Sequence, residues 1–151
     1  MADAYTVALT LLSARELSES QLRTRLKRRK LDADDIEAAL SRLKADRTLN
    51  DRRVATAIAR MESTIKHRGR ARVIQKIRQA GIDGDIAQDA VSEVFSEEVD
   101  EQALLERAFE RRLRGKSPRD LDDKGRARIV RGLTAQGFPI DAVLKRLKAE
   151  R

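Results

Sequence analysis

The stretch GRARVIQKIRQAGI, residues 69–82, returns in similar form as GRARIVRGLTAQGF at residues 125–138. A third copy, SESQLRTRLKRRKL, lies at residues 18–31. Each copy has two aliphatic residues four apart at the same places: Leu22 and Leu26, Val73 and Ile77, Ile129 and Leu133. Because the apolar positions repeat together with the basic ones, the pattern indicates a repeated structural unit that also carries charge.

Each copy is predicted to form the middle helix of a three-helix unit, because aliphatic residues four apart lie on one helical face. Ser18, followed by Gln21 three residues later, is a capping-box signature for the first of these helices. The two Gly-Arg-Ala-Arg tetrapeptides are expected to open the other two. Gly81 and Gly137 are placed to end them in the left-handed conformation that favours glycine. Lys30 stands at the equivalent position of the first unit and predicts a helix end less favourable by up to about 1 kcal/mol.

One further helix is predicted on each side of every middle helix, from apolar residues at helical spacing. In the preceding helices the inward residues are Ala8, Leu11 and Leu12; Val54, Ile58, Met61 and Ile65; and Leu105, Phe109 and Leu113. In the following helices they are Ile36, Leu40 and Leu43; Ile86, Ala90 and Val94; and Val143, Leu144 and Leu147.

Polar residues mark the starts of these flanking helices. Asp32 and Asp83 are N-cap candidates for the third helices of the first two units, and Pro139 suits the first helical position in the last. The first helices of the second and third units are expected to be capped by Asn50 or Asp51 and by Asp100, and the chain is expected to restart after Gly115 at Ser117-Pro118.

We therefore expect an all-α protein in which three tandem three-helix repeats form an elongated, curved array. The predicted units span residues 2–47, 49–98 and 100–150. Only 7 of the 151 residues are glycine and 2 are proline, which agrees with a mostly helical chain. Units of this length that contact mainly their neighbours stack into a rod rather than a sphere.

The net charge of +8 and the pI of about 10.3 favour a polyanionic partner, either nucleic acid or an acidic protein surface. Aromatic residues make up 3% of the chain, too few for a platform on which bases stack, so contacts to DNA phosphates are expected. The chain has no cysteine, which fits a reducing compartment. Since no stretch approaches the roughly 20 apolar residues of a membrane span, we expect a cytoplasmic protein without membrane contact. Nothing in the sequence indicates an obligate oligomer, so we expect a monomer.

The basic residues concentrate on the middle helices, whereas the third helices of units one and two begin with the acidic stretches DADDIE and DGDIAQD. For a single arginine, solvation of an exposed helix is the simplest interpretation, but repetition at equivalent places favours a basic track along one face. We expect both Arg72 and Arg128 to face solvent. The predicted track consists of Arg23, Lys27, Lys30, Arg70, Arg72, Lys76, Arg126, Arg128 and Arg131.

Residues suited to catalysis are scarce. His67 is the only histidine, and its basic surroundings contain no nearby acidic residue to orient it. No phosphate-binding glycine loop, HExxH motif or Cys/His metal spacing is present. Two aspartate clusters, Asp32, Asp34 and Asp35 and then Asp120, Asp122 and Asp123, contain the carboxylates that a metal site needs, but helix capping and a polar connection explain them more simply. We expect no catalytic residues, no metal and no cofactor.

The sequence resembles the bacterial RecX family over nearly the whole chain. Residues 8–55 show an Ala-Leu-x-x-Leu helix, a Ser-x-x-x-Leu-x-x-x-Leu helix and a Leu-Asx-Asp-x-Arg-x-Ala junction, which here is Leu49, Asn50, Asp51, Arg53 and Ala55. The second copy is similar to the family's Gly-x-x-x-Ile-x-x-x-Leu-x-x-x-Gly-Ile segment, and IVRGLTAQGF is similar to its third-repeat signature.

This resemblance implies a regulator, usually an inhibitor, of the RecA recombinase in recombination, DNA repair and the SOS response. RecX proteins are elongated helical repeats that lie in the groove of the RecA filament on DNA and lower its ATP hydrolysis and strand exchange. The predicted basic track would then contact the filament and its DNA. Two other functions stay open at this stage: a basic helical module that binds DNA alone, and a metal-dependent nuclease.

Overall fold

The computed structural model describes residues 3–149, which contain nine α-helices and no strand. The predicted all-α repeat array is confirmed. The outermost predicted positions, Ala2 and Glu150, lie outside the described residues. The helices are α1 (Ala4–Ala14), α2 (Glu19–Arg28), α3 (Ala33–Ala45), α4 (Asp51–Arg60), α5 (Arg70–Gln79), α6 (Gly84–Glu97), α7 (Glu101–Leu113), α8 (Asp123–Ala135) and α9 (Ile140–Lys148).

Most helix ends follow from residues next to them in sequence. The predicted capping box on α2 is present: the Gln21 amide donates to Ser18 Oγ at 3.1 Å, and the Ser18 amide donates to Gln21 Oε1 at 3.0 Å. Asp32, Asp83, Asn50 and Asp100 accept from first-turn amides of α3, α6, α4 and α7. Lys30, Gly81 and Gly137 all have positive φ, of 58°, 79° and 110°.

Two helices, α8 and α9, begin at residues other than the predicted ones. Ser117 and Pro118 begin only a short 3₁₀ turn, Pro118–Asp120, after which Asp122 caps α8. Gly125 is therefore the third residue of α8, whereas Gly69 is the N-cap residue of α5. Pro139 occupies the position before α9 instead of its first residue. The same tetrapeptide thus begins two helices in different registers, because an aspartate precedes only the second copy.

The buried residues form two cores. The first core lies within unit one (α1 to α3), and the second is continuous across unit two (α4 to α6) and unit three (α7 to α9). The largest fully buried side chains of the first core are Leu17, Leu22, Leu26, Ile36, Leu40 and Leu43. Those of the second are Val73, Ile77, Val91, Val94, Phe109 and Leu133. Units two and three therefore form one packed body, to which unit one is joined.

The end of α4 differs from the predicted pattern. Helical spacing placed Met61 and Ile65 inward, yet they are 43% and 70% exposed. Residues Met61–Ile65 form a π-helical turn, whose extra residue rotates the following side chains by about 100°. Glu62 and Ser63 are buried instead, and Glu62 is bonded to Arg68 at 2.9 Å. Leu144, also predicted inward, is 39% exposed because the buried line of α9 runs through Val143 and Leu147.

Units two and three meet where the end of α8 contacts the start of α5. The amide of Gly69 donates to the Gln136 carbonyl at 2.9 Å, and the amide of Ala71 donates to the Gly137 carbonyl at 3.2 Å. No side chain caps α5. The carbonyls of α8 and its following turn therefore satisfy the first amides of α5, which would otherwise be unpaired.

Units one and two meet in a related way, where the end of α5 contacts the start of α2. Ser18 Oγ donates to the Ala80 carbonyl at 2.5 Å, and the Glu19 amide donates to Asp51 Oδ1 at 2.8 Å. At both junctions the glycine that ends one middle helix lies against the start of another. A Cβ on Gly81 would lie 2.5 Å from the Ser20 side chain, and one on Gly137 would lie 2.6 Å from Arg72.

Replacing Gly69 with alanine is expected to lower the free energy of unfolding by about 1–3 kcal/mol, because the added Cβ overpacks the α5–α8 junction. That atom would lie 2.5 Å from the Gly137 carbonyl carbon, whereas the φ of Gly69, −78°, is ordinary for any residue. Urea denaturation measures the change. Gly84→Ala is the matched control, because its Cβ would lie no closer than 3.8 Å to Arg78, and its stability should be unchanged or slightly higher. Equal stability of the two variants would contradict the proposed role of the junction.

Lys30→Gly is expected to stabilise the protein by up to about 1 kcal/mol, because glycine adopts the observed φ of 58° without steric strain. Lys30 is exposed, so little packing is lost. Thermal unfolding of the variant and the parent protein measures the effect, and a lower melting temperature would show that the lysine side chain stabilises the helix end.

Candidate nucleic-acid interface

The nine residues of the predicted basic track fall into two groups in the structure. Arg23, Arg70, Arg72 and Arg126 are half-buried and make contacts within the protein. Lys27, Lys30, Arg128 and Arg131 are exposed, and Lys76 is half-buried. Among the described residues, none of these last five makes an ion pair with a carboxylate.

Arg23 joins α2 to α3. Its guanidinium donates to both carboxylate oxygens of Glu37, at 2.7 and 3.1 Å, and to Glu19 at 3.1 Å. The hydrogen bond to Glu37 raises the pKa of Arg23, and the same bond lowers the pKa of Glu37. Burial alone would raise the pKa of Glu19, but hydrogen bonds from Lys44 and Arg23 lower it overall. The charge of Arg23 is therefore compensated within unit one.

Arg70 belongs to the junction of units two and three. It forms an ion pair with Glu101, the first residue of α7, and its guanidinium lies 5.3 Å from the centre of the Phe95 ring. The ion pair holds unit three against α5. The ring contact lies within unit two, because Phe95 belongs to α6, and it fixes the orientation of the Arg70 side chain.

Arg72 faces solvent only in part, because it is half-buried, whereas Arg128 is exposed as expected. Gly137 approaches Arg72 closely, so the docked third unit covers part of the arginine. Its guanidinium donates to Gln75 Oε1 at 2.5 Å. Arg126, at the equivalent place of Arg70, donates to the Pro118 carbonyl at 3.3 Å.

Two shallow grooves run along the middle helices of units one and two. One is lined by Ala71, Ile74, Gln75, Arg78 and Gln79. The other is lined by Ser20, Gln21, Thr24, Arg25, Arg28, Gln79, Ala80 and Gly81. Because Gln79 lines both, the grooves adjoin at the α2–α5 junction. Arg25, Arg28 and Arg78 were not among the predicted site residues. They lie three or four positions after other groove residues, Gln21, Thr24 and Gln75, and that helical spacing could have indicated them.

A further group of basic residues lies around a cleft of unit three, here called the third-unit cleft. It has a volume of about 760 Å³ and is formed by the end of α7, the 3₁₀ turn and the start of α8. Its basic lining residues are Arg111, Arg112, Arg114, Lys116, Lys124 and Arg128. Of these, the predicted track included only Arg128. The density of basic residues in RRLRGKSPRDLDDKGRARIVR was the available signal, but helical periodicity does not predict the path of the connecting turn.

The aspartate clusters act locally. Asp32 caps α3 by accepting from the amides of Asp34 and Asp35, and Asp122 caps α8 by accepting from Gly125 at 2.7 Å. Within residues 3–149, no group of three or more His, Asp or Glu side chains is arranged to hold a metal ion. No helix in the same range has both the length and the apolar character needed to cross a membrane.

Comparison with family models gives two matches to this chain. Residues 4–43 match the model described as "RecX, first three-helix domain", and residues 50–91 match "RecX, second three-helix domain". The protein named regulatory protein RecX in Syntrophotalea carbinolica is 34% identical over 99% of this chain and 97% of its own length. That of Pseudomonas entomophila is 32% identical over 90% of this chain and 84% of its own.

Solved structures share the fold. The crystal structure of RecX from Lactobacillus salivarius superimposes with a TM-score of 0.80 at 21% identity, covering 97% of this chain and 95% of that one. A second crystal structure, of a regulatory protein RecX, gives a TM-score of 0.82 at 23% identity and covers 97% of this chain and 70% of that one. The likeness therefore extends through unit three.

Arg70→Gln is expected to lower the free energy of unfolding by about 0.5–1 kcal/mol, because it removes a half-exposed ion pair across the junction and a ring contact within unit two. Arg128→Gln removes an exposed charge and should change stability by less than about 0.5 kcal/mol. Urea denaturation of both variants at low salt makes the comparison. If the two changes were equal, Arg70 would have no special part in holding unit three.

Proposed function

Because the chain belongs to the RecX family of regulatory proteins, we propose that it is a non-enzymatic regulator of the RecA recombinase. In this proposal it lies in the groove of the RecA filament on DNA and lowers ATP hydrolysis and strand exchange. It acts in the cytoplasm, in recombination, DNA repair and the SOS response, and it binds the filament as a monomer without a cofactor.

The end-to-end contacts between middle helices are the observation that most supports this function. They fix α5 and α8 relative to each other through backbone hydrogen bonds, and α2 and α5 through the hydrogen bond from the Ser18 side chain to the Ala80 carbonyl. Glycines pack closely at both contacts. Each unit consequently holds its equivalent residues at a fixed place relative to those of the next unit. A filament of identical protomers also presents equivalent sites at regular intervals, so a repeated array can contact neighbouring protomers together. Linked contacts of this kind raise overall affinity without a new type of bond.

The charges of the middle helices support contact with a polyanion. We assign the binding contacts to Lys27, Lys30, Lys76, Arg128 and Arg131, which form no ion pair in the described part of the chain. Arg23, Arg70 and Arg126 contribute chiefly by holding elements together, since their guanidinium groups are bonded to other elements of the fold. Arg72 is bonded within α5, to Gln75. Exposed cations attract DNA phosphates and acidic protein surfaces alike, and salt screens both attractions.

A second candidate function, DNA binding without RecA, is favoured by the third-unit cleft. A cleft with six basic lining residues resembles the electrostatic footprint of nucleic-acid binding proteins. The two functions differ in what they need: stand-alone DNA binding is complete without RecA, whereas the regulator needs the filament for its tightest binding.

Titrating the protein into a RecA ATPase assay on single-stranded DNA tests the regulatory function. The parent protein should lower ATP hydrolysis at or below stoichiometric amounts. The variant Lys27→Glu with Arg131→Glu should need about tenfold more protein for the same inhibition, since it places repulsive charges on two binding helices. Its melting temperature should be unchanged because both residues are exposed.

The matched control is Arg15→Glu with Arg107→Glu, which changes the net charge equally at exposed positions outside the assigned set. It should inhibit like the parent protein. No effect of the parent protein on either growing or preformed filaments would rule the proposed function out.

A further inference from the structure

We propose that the third-unit cleft binds a run of phosphate groups, as in the backbone of a nucleic-acid strand. This inference rests on the proposed function only for its cellular setting, because the site is defined by residues of unit three that the binding contacts assigned above largely omit. Arg128 is the one residue common to both.

The cleft holds uncompensated positive charge. Six basic side chains line it against two carboxylates, those of Asp120 and Asp122, and the second carboxylate caps α8. Arg112 is also engaged, donating to the Gly132 carbonyl at 3.1 Å and to Gln136 Oε1 at 3.2 Å. The five other basic residues have no ion pair in the described part of the chain: Arg111, Arg114, Lys116, Lys124 and Arg128.

The cleft shares this lack of partners with the end of α2, where Arg25, Lys27, Arg28, Arg29 and Lys30 are exposed and form no ion pair in the described part of the chain. Other arginines are paired with carboxylates, among them Arg52, Arg60 and Arg70. Gathering five like charges around one cleft is unfavourable in the free protein, and a bound polyanion relieves that repulsion.

The turn that brings the charges together has unusual backbone geometry. Arg114 has a φ of 52° and Gly115 a φ of 83°, so two successive residues are left-handed. A non-glycine residue in this region is strained, and Lys30, Arg47 and His67 share that conformation elsewhere in the chain, so the strain accompanies the cleft without defining it. Arginine in place of the favoured glycine keeps a guanidinium on the wall of the cleft.

The lining of the cleft favours phosphates over the side chains of a protein partner. Three of its four apolar residues, Ala108, Leu113 and Ile129, are only 2%, 8% and 5% exposed. The fourth, Leu121, is half-buried, so the cleft offers little apolar surface to an anchoring side chain. No aromatic residue lines the cleft, so bases have nothing to stack on. Contacts confined to phosphates read no sequence, and binding through this cleft is therefore sequence-independent.

Fluorescence anisotropy of a labelled 20-nucleotide single strand, without RecA, tests the inference. The variant R111Q/K116Q/K124Q removes three unpaired cleft charges and leaves the bonded Arg112 and Asp122 intact. The control R15Q/R29Q/R107Q removes three exposed charges elsewhere. At about 0.1 M salt the cleft variant should bind about a hundredfold more weakly than the parent protein, and its slope of log K against log salt should be smaller by about 2. The control should match the parent protein.

Arg114→Gly separates a lost contact from lost structure. Glycine relieves the left-handed strain, so the melting temperature should stay the same or rise, while the affinity for the strand should fall about fivefold, as expected for one phosphate contact. A fall in both quantities would indicate that Arg114 stabilises the fold and would overturn its place in the site.

Two competitors identify the source of the phosphates. If inorganic tripolyphosphate displaces the strand at equal charge concentration, the cleft takes free polyphosphates as well; if it does not, the cleft requires a strand. Both results support a phosphate site. Displacement by polyglutamate at equal charge concentration would instead assign the cleft to acidic peptide, and equal binding by the cleft variant and the control would overturn the inference. Because RecA is absent from these assays, their outcome is independent of the ATPase result.

Discussion

The end-to-end contact between middle helices is the constraint on which the structure depends. The last carbonyls of α8 accept from the first amides of α5, and the last carbonyl of α5 accepts from the N-cap hydroxyl of α2. A helix has a partial negative charge at its C-terminus and a partial positive charge at its N-terminus, so these contacts are electrostatically favourable as well as hydrogen-bonded. Backbone approaches backbone closely at Gly69 and Gly137, and Gly81 lies against the side chain of Ser20, so a Cβ at any of the three positions would be crowded.

The same constraint explains where the repeats differ from one another. Lys30 stands where Gly81 and Gly137 stand in the other units, and no described middle helix docks against that end of α2. Asp122 caps α8 with its own carboxylate, whereas α5 has no side-chain cap and depends on unit three. The repeats therefore differ in sequence at helix ends, according to whether that end contacts a helix of the next unit.

Docking also divides the basic residues by role. Arg70 and Arg72 lie at a junction and are half-buried there, whereas Arg128 and Arg131 of unit three are exposed. A half-exposed ion pair between an arginine and a carboxylate contributes little to stability on its own. At a junction it adds to the hydrogen bonds that hold two units together. Arginine serves both purposes because its planar guanidinium pairs with carboxylates and phosphates in the same geometry. Residue type alone does not separate the structural arginines from those that remain available to a partner.

The sequence by itself determined the repeat, the all-α class, the capping box at Ser18 and the left-handed helix ends at Lys30, Gly81 and Gly137. These features depend on residues within a few positions of one another, which is the range over which helical periodicity and capping act. Only the tertiary structure decided the π-helical turn at Met61–Ile65, the partial burial of Arg72 and the charges that surround the third-unit cleft. The junction bonds join residues 62 and 69 positions apart, Ser18 to Ala80 and Gln136 to His67. Local rules contain no information about such partners, because the distance between them is set by how the units pack.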